Sequence, residues 1–193
     1  FILIKKSLEH FSPYQVGALR VLISGVFLSP IAILNRKKFP KKQLKWLFLA
    51  AFAGNFIPMF LFPIAETKVS SSIAGIMNSM MPIFTIIVGA LFWKTKTTSR
   101  QILGILISFS GVVLLMISGE KSAETPIFFV VLLLFAAFLY AVSVTTVGAK
   151  LTHIPAKMMS SFVFFYVLFL PSLISLYFSN FFNEFTFTNE NMI

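Results

Sequence analysis

The stretch VSSSIAGIMNSMMPIFTIIVGALFW at residues 69–93, the basic link KTKTTSRQ at 94–101 and the apolar run ILGILISFSGVVLLMIS at 102–118 decide the fold. As a helix rising about 1.5 Å per residue, either run crosses most or all of a bilayer's hydrocarbon. In the first run Ser71, Gly75, Asn78, Pro82, Thr85 and Gly89 recur at alternating intervals of four and three. That spacing puts them in one small and polar stripe along one helical face. The remaining faces are Ile, Met, Phe, Val and Leu, which suit lipid or packed neighbours. A membrane helix with such a stripe either packs tightly on a partner or lines a wet cavity.

Composition agrees with this reading over the whole chain. Its 193 residues are 58% hydrophobic and only 11% charged, with a mean hydropathy of +0.91. Soluble domains are nearer about 25% charged. The expected fold class is all-α, a polytopic transmembrane helix bundle. There is no Cys and no Asp, and His10 and His153 are the only histidines. Disulfides and thiolate chemistry are therefore excluded, and no metal or cofactor site is expected. No paired acids, His cluster or Ser–His arrangement appears, so an enzyme is not expected.

Taken in order, the apolar segments predict helices at 14–34, 44–64, 69–93, 102–118, 126–147 and 158–178, after a stub at 1–4 too short to span. Pro13 opens the first long one, a position that tolerates proline. The chain is read as a piece cut at both ends, with about seven helices present.

A net charge of +10 suggests a nucleic-acid partner, but the charge sorts by loop. The loops at 35–45, 94–101 and 148–157 hold Arg36, Lys37, Lys38, Lys41, Lys42, Lys45, Lys94, Lys96, Arg100, Lys150 and Lys157. The alternate segments hold Lys5, Lys6, Lys68 and Lys121, and with them all six acids, Glu9, Glu66, Glu120, Glu124, Glu184 and Glu190. One orientation satisfies every loop, with the three basic loops cytoplasmic. The loop from Asn35 to Lys45 should attract anionic lipid heads, and no nucleic-acid partner is expected.

An internal repeat is faintly visible. His10-Phe11-Ser12-Pro13 precedes one helix and His153-Ile154-Pro155 another, and each helix has a second proline near its far end, Pro30 and Pro171. If these helices correspond, the repeat unit has five helices, and an odd number inverts the second copy in the membrane.

Several segments carry a family resemblance. Pro82-Ile83-Phe84-Thr85 through Arg100-Gln101-Ile102-Leu103-Gly104, then Gly111-Val112-Val113-Leu114-Leu115, resembles the end of an EamA repeat. Ser12-Pro13 followed by Ala18-Leu19-Arg20 resembles its entry into the second helix. The chain is similar to EamA proteins of the drug/metabolite transporter superfamily. The resemblance covers residues 1–119 as a first repeat and the opening of a second within 120–193. It implies ten helices in two inverted five-helix repeats, moving small metabolites by alternating access, often outward as an exporter or permease. It also implies a bacterial-type inner-membrane protein. The family commonly has a Glu after its fourth helix; here Trp93-Lys94-Thr95-Lys96 has no acid.

Arg20 is the charge that needs explaining. Inside a span it costs on the order of 2.5–3.5 kcal/mol, so it should face the bundle with Gly17 and Ser24. There it would anchor an anionic substrate, tie to backbone carbonyls or snorkel outward. Asn55, Asn78 and Tyr140 are polar groups large enough to reach a ligand, or to bond between helices. Ser79 and Thr85 are expected to bond their own helix backbone. Pro58 and Pro82 can kink or hinge their helices. Gly104, Ser108 and Gly111 form a small-residue face for helix packing or a homodimer. No carboxylate falls near the midplane, so a proton relay by a buried acid has no candidate. The alternative to a transporter is a membrane scaffold whose polar stripe serves only helix contacts.

Overall fold

The computed structural model describes residues 1–38, 40–118, 126–179 and 181, with backbone alone at 108, 112–113 and 115–118. Every regular element among them is helical: α1 (Ile2–Ser7), α2 (Pro13–Asn35), α3 (Lys41–Glu66), α4 (Ser71–Trp93), α5 (Ser99–Ser118), α6 (Ile127–Leu151) and α7, whose halves Ala156–Val167 and Phe169–Phe178 are bent by 40°. The segments α2, α3, α4 and α6 are each long and apolar enough to cross a membrane, and α7 is a further span if its halves count as one. These are the expected segments, with ends moved by up to about one turn.

Local sequence explains where the helices begin. Ser12 caps α2 through a reciprocal box: its hydroxyl accepts from the Gln15 backbone N–H at 3.3 Å, and the Gln15 side chain accepts from the Ser12 N–H at 2.9 Å. Thr98 and Gln101 repeat the device before α5, at 3.4 and 2.8 Å. Each box satisfies N–H groups that a helix start leaves orphaned. Ser70 caps α4 by accepting from the Ile73 N–H. At the end of α4, Lys94 turns left-handed at φ 51°, and the Thr95 N–H reaches back to the Gly89 carbonyl at 3.1 Å.

The prolines shape the helices from within. Pro58 has no N–H, and the helix upstream of it widens into a π-turn over Phe52–Phe56, closed by the Ile57 N–H on the Phe52 carbonyl. Such insertions are a recognised cause of helix bending. Pro63 in turn leaves the Met59 carbonyl without its helical donor. Gly17 of α2 sits against that carbonyl: a Cβ there would lie 2.8 Å from the oxygen. Only the absence of a side chain lets α2 approach α3 so closely.

Two apolar clusters hold the bundle. One joins α2, α3 and α7 through Val21, Leu47, Ala51, Met59, Phe162 and Leu168, and the other joins α3, α4 and α6 through Phe62, Ala65, Ala74, Met77, Leu133 and Ala136. The helices α2 and α7 run antiparallel along each other. The end of α2 at Leu34 lines one concavity with His153 and Met158 near the start of α7, while the Gln15 amide donates to the Ser179 carbonyl at 3.1 Å. Gly25 is the close point between them, where a Cβ would meet Phe169 at 2.9 Å and the Phe164 carbonyl at 3.0 Å.

Candidate functional site

The three basic loops meet at one end of the bundle. Trp46 near the start of α3, Trp93 at the end of α4 and Lys150 in the last turn of α6 come together there, and the indoles pack edge to face, 5.4 Å between centroids. The Lys150 ammonium stands over both rings, at 5.6 and 5.3 Å, and Lys45 stands over Trp46 at 5.1 Å. A cation over an indole face is attracted by the ring quadrupole, by about 0.5–1 kcal/mol even where exposed. This clasp ties α3, α4 and α6 together at the basic end. Lys45 and Lys150 stand in the sequence only as loop charges, and nothing in the spacing of the two indoles announces that they meet.

Arg20 lies in the opposite half of α2. It is exposed rather than packed inside, although Gly17, one turn away, is buried against α3. The Arg20 backbone carbonyl accepts the Ser24 hydroxyl at 2.8 Å. The Tyr140 ring is half-buried and packs on Phe62, 5.8 Å between centroids. Tyr14 of α2 packs on Phe60 of α3, 6.2 Å between centroids, so aromatic faces from α2, α3 and α6 share this end.

Glu66 is the largest departure from the sequence reading, which grouped it with solvent-facing loop acids. Helix α3 runs on to Glu66 and the following turn folds over it, leaving the residue 0% exposed. One carboxylate oxygen accepts the Ser71 hydroxyl at 3.2 Å; the other is buried without a hydrogen-bond partner. The Lys5 ammonium of α1 donates to the Glu66 and Val69 backbone carbonyls, the second at 3.4 Å. A buried acid is therefore present after all, near a span end and not at the midplane. Its only sequence signal was a Ser five residues downstream.

Helix α4 is broken where the polar stripe crosses it. Its first half ends at Asn78, Ser79 and Met80 form a turn, and the second half starts at Met81 with Pro82 in its first turn. The missing N–H of Pro82 leaves the Asn78 carbonyl without a helical donor. Ser79 and Thr85 donate to the Gly75 and Met81 carbonyls of their own helix at 2.9 and 2.8 Å, as expected. Pro82 and Thr85 line a cleft of about 430 Å³ shared with Gln101 and Gly104 of α5.

Asn55 sits apart from Arg20 and Tyr140. It lies in the π-turn of α3 and lines a cavity of about 120 Å³ with Ala50, Ser143, Ser160 and Phe164, among others. The buried Ser143 hydroxyl donates to the Ala50 carbonyl at 2.8 Å. The structure therefore does not gather Arg20, Asn55, Asn78 and Tyr140 into one pocket. A Cβ added at Gly104 or Gly111 would meet nothing within 4 Å, and the Ser108 side chain lies outside the described residues. No group of three or more His, Asp or Glu able to hold a metal occurs among the described residues.

Residues 1–117 match the model of the EamA-like transporter family. The chain belongs to that family. This EamA protein is 31% identical over 115 residues to an uncharacterized transporter of Archaeoglobus fulgidus, covering 60% of this chain and 41% of the relative. It is 30% identical over 136 residues to the uncharacterized transporter YdfC of Bacillus subtilis, covering 70% and 44%. A Salmonella typhimurium protein described as a "probable amino-acid metabolite efflux pump" is 27% identical over 141 residues, covering 73% and 46%. The chain spans less than half the length of these relatives. No solved structure matches it. The family match and the apolar helices together make it an integral membrane protein of the EamA-like transporter family.

Proposed function

We propose that this EamA chain forms one side of a solute pathway working by alternating access, open at the Arg20 end and closed at the basic end. The observation that carries the reading is an exposed guanidinium on a 23-residue apolar span. Such a charge is costly against lipid and inexpensive where water and solute pass. The pathway's substrate is a small amphipathic metabolite with a carboxylate. Arg20 pairs with the carboxylate through its planar donor fork, and Tyr140 and Phe62 receive the apolar remainder. The efflux name of the Salmonella relative supports outward movement and an amino-acid type of metabolite. Residues 1–119 act as the first inverted repeat and 120–193 as the opening of the second, in a bacterial-type inner membrane with the basic loops cytoplasmic. The antiparallel pairing of α2 with α7 supports that symmetry.

The direct test is metabolite efflux from cells producing the full-length protein, across an amino-acid and organic-acid panel. A rise in export of at least one carboxylated compound is expected. No change across the panel, with the protein present in the membrane, sinks the reading.

Accessibility separates transport from a scaffold role. Single cysteines at Asn78 and Tyr140 are expected to react with a membrane-impermeant thiol reagent, and protection of both positions would favour the scaffold. A cysteine at Asn55, behind the clasp, is expected to react slowly from the cytoplasmic side. Lys150→Ala should speed that reaction severalfold, because it removes the cation shared by the two indoles. An unchanged rate would mean that the clasp closes nothing.

A further inference from the structure

A second site of different chemistry lies at the basic end, on the flank where α2 meets α7. A concavity of about 670 Å³ opens there, and its walls come from two segments far apart in sequence. Lys38 follows α2; His153 and Lys157 flank the start of α7. All three side chains are exposed. Ile31, Leu34 and Met158 add an apolar lining, and Leu34 is 80% exposed. Among the described residues no acid lines the site. Helix α2 is a span whose last turn forms the wall, so the apolar side faces acyl chains and the lysines sit at head-group depth.

We propose that this concavity binds one anionic phospholipid, its phosphodiester between Lys38 and Lys157 and an acyl chain along Ile31, Leu34 and Met158. Diffuse attraction by Arg36, Lys37, Lys41 and Lys42 concentrates anionic lipid near the loop. The concavity adds a second loop's cation and a fitted apolar wall, which a charged strip lacks. A lipid held there bridges the end of α2 to the start of α7, the pair joined at its other end by Gln15 and Ser179.

Native mass spectrometry of the full-length protein, loaded with phosphatidylglycerol or phosphatidylcholine, tests this. One phosphatidylglycerol should be retained preferentially. The double variant Lys38→Ala/Lys157→Ala should weaken its binding by about fivefold per lysine removed. The variant Lys41→Ala/Lys42→Ala removes the same charge outside the concavity and should change it less than about twofold. Equal losses in the two variants would reduce the effect to diffuse surface charge and overturn the site. So would equal retention of the two lipids. Displacement of the lipid by excess inorganic phosphate would assign the lysines to a soluble anion and overturn the lipid reading.

Discussion

Gly54→Ala is expected to be the most destabilising of the alanine substitutions at the described glycines. A Cβ at Gly54 would lie 2.1 Å from the Ser143 hydroxyl oxygen and 2.6 Å from the Ser143 Cβ. Real Cβ atoms do not approach so closely, and Ser143 cannot step aside freely. It is buried, and its hydroxyl is held by the Ala50 carbonyl. Either α3 and α6 separate, or the π-turn of α3 rewinds. Overpacking of this kind costs roughly 1–3 kcal/mol, and here it falls on an interface that also walls the Asn55 cavity. Thermal unfolding in detergent should show a clear drop in Tm. Gly104→Ala, where the added carbon meets nothing, should be neutral or slightly stabilising through helix propensity of up to about 1 kcal/mol. Adding Ser143→Gly to Gly54→Ala should recover part of the loss, since it removes both clashing atoms. If Gly54→Ala unfolds like the parent, the close packing of α3 on α6 is wrong.

Arg20→Ala is expected to lower transport at least about tenfold while leaving membrane abundance unchanged, the signature of a lost substrate contact. The side chain is exposed, and the Ser24 hydroxyl donates to the Arg20 backbone carbonyl, which the substitution keeps, so deleting the side chain removes little packing. Arg20→Lys keeps the charge and loses the planar fork, so it should fall between the two, with its deficit mainly in KM. Equal losses of transport and abundance would make Arg20 a structural residue and leave the pathway without its carboxylate anchor.

Much of the architecture was legible without coordinates, because the signals are local and strong. Runs of twenty or so apolar residues have few alternatives to a membrane helix. The Trp46–Lys150–Trp93 clasp draws together the ends of α3, α4 and α6 that adjoin the three basic loops. The self-bonding of Ser79 and Thr85 followed from side-chain reach within one helix turn. The EamA resemblance added the family, which the match over residues 1–117 bears out.

What the sequence determined by itself is a set of helices, their boundaries to about one turn, their charge asymmetry and the family. Each depends on residues within a few positions of one another, where helix periodicity dictates who shares a face. Tertiary structure decided which faces meet. It buried Glu66 beneath a turn and Lys5, left Arg20 exposed while Gly17 one turn away was buried, and seated Gly54 on Ser143. It also set Asn55 apart from Tyr140 and placed Lys38 and Lys157 on one concavity. Those pairings depend on the rotation and crossing of whole helices. Many side chains settle them jointly, through close packing with a few tenths of an ångström to spare, and no single stretch of chain encodes that sum.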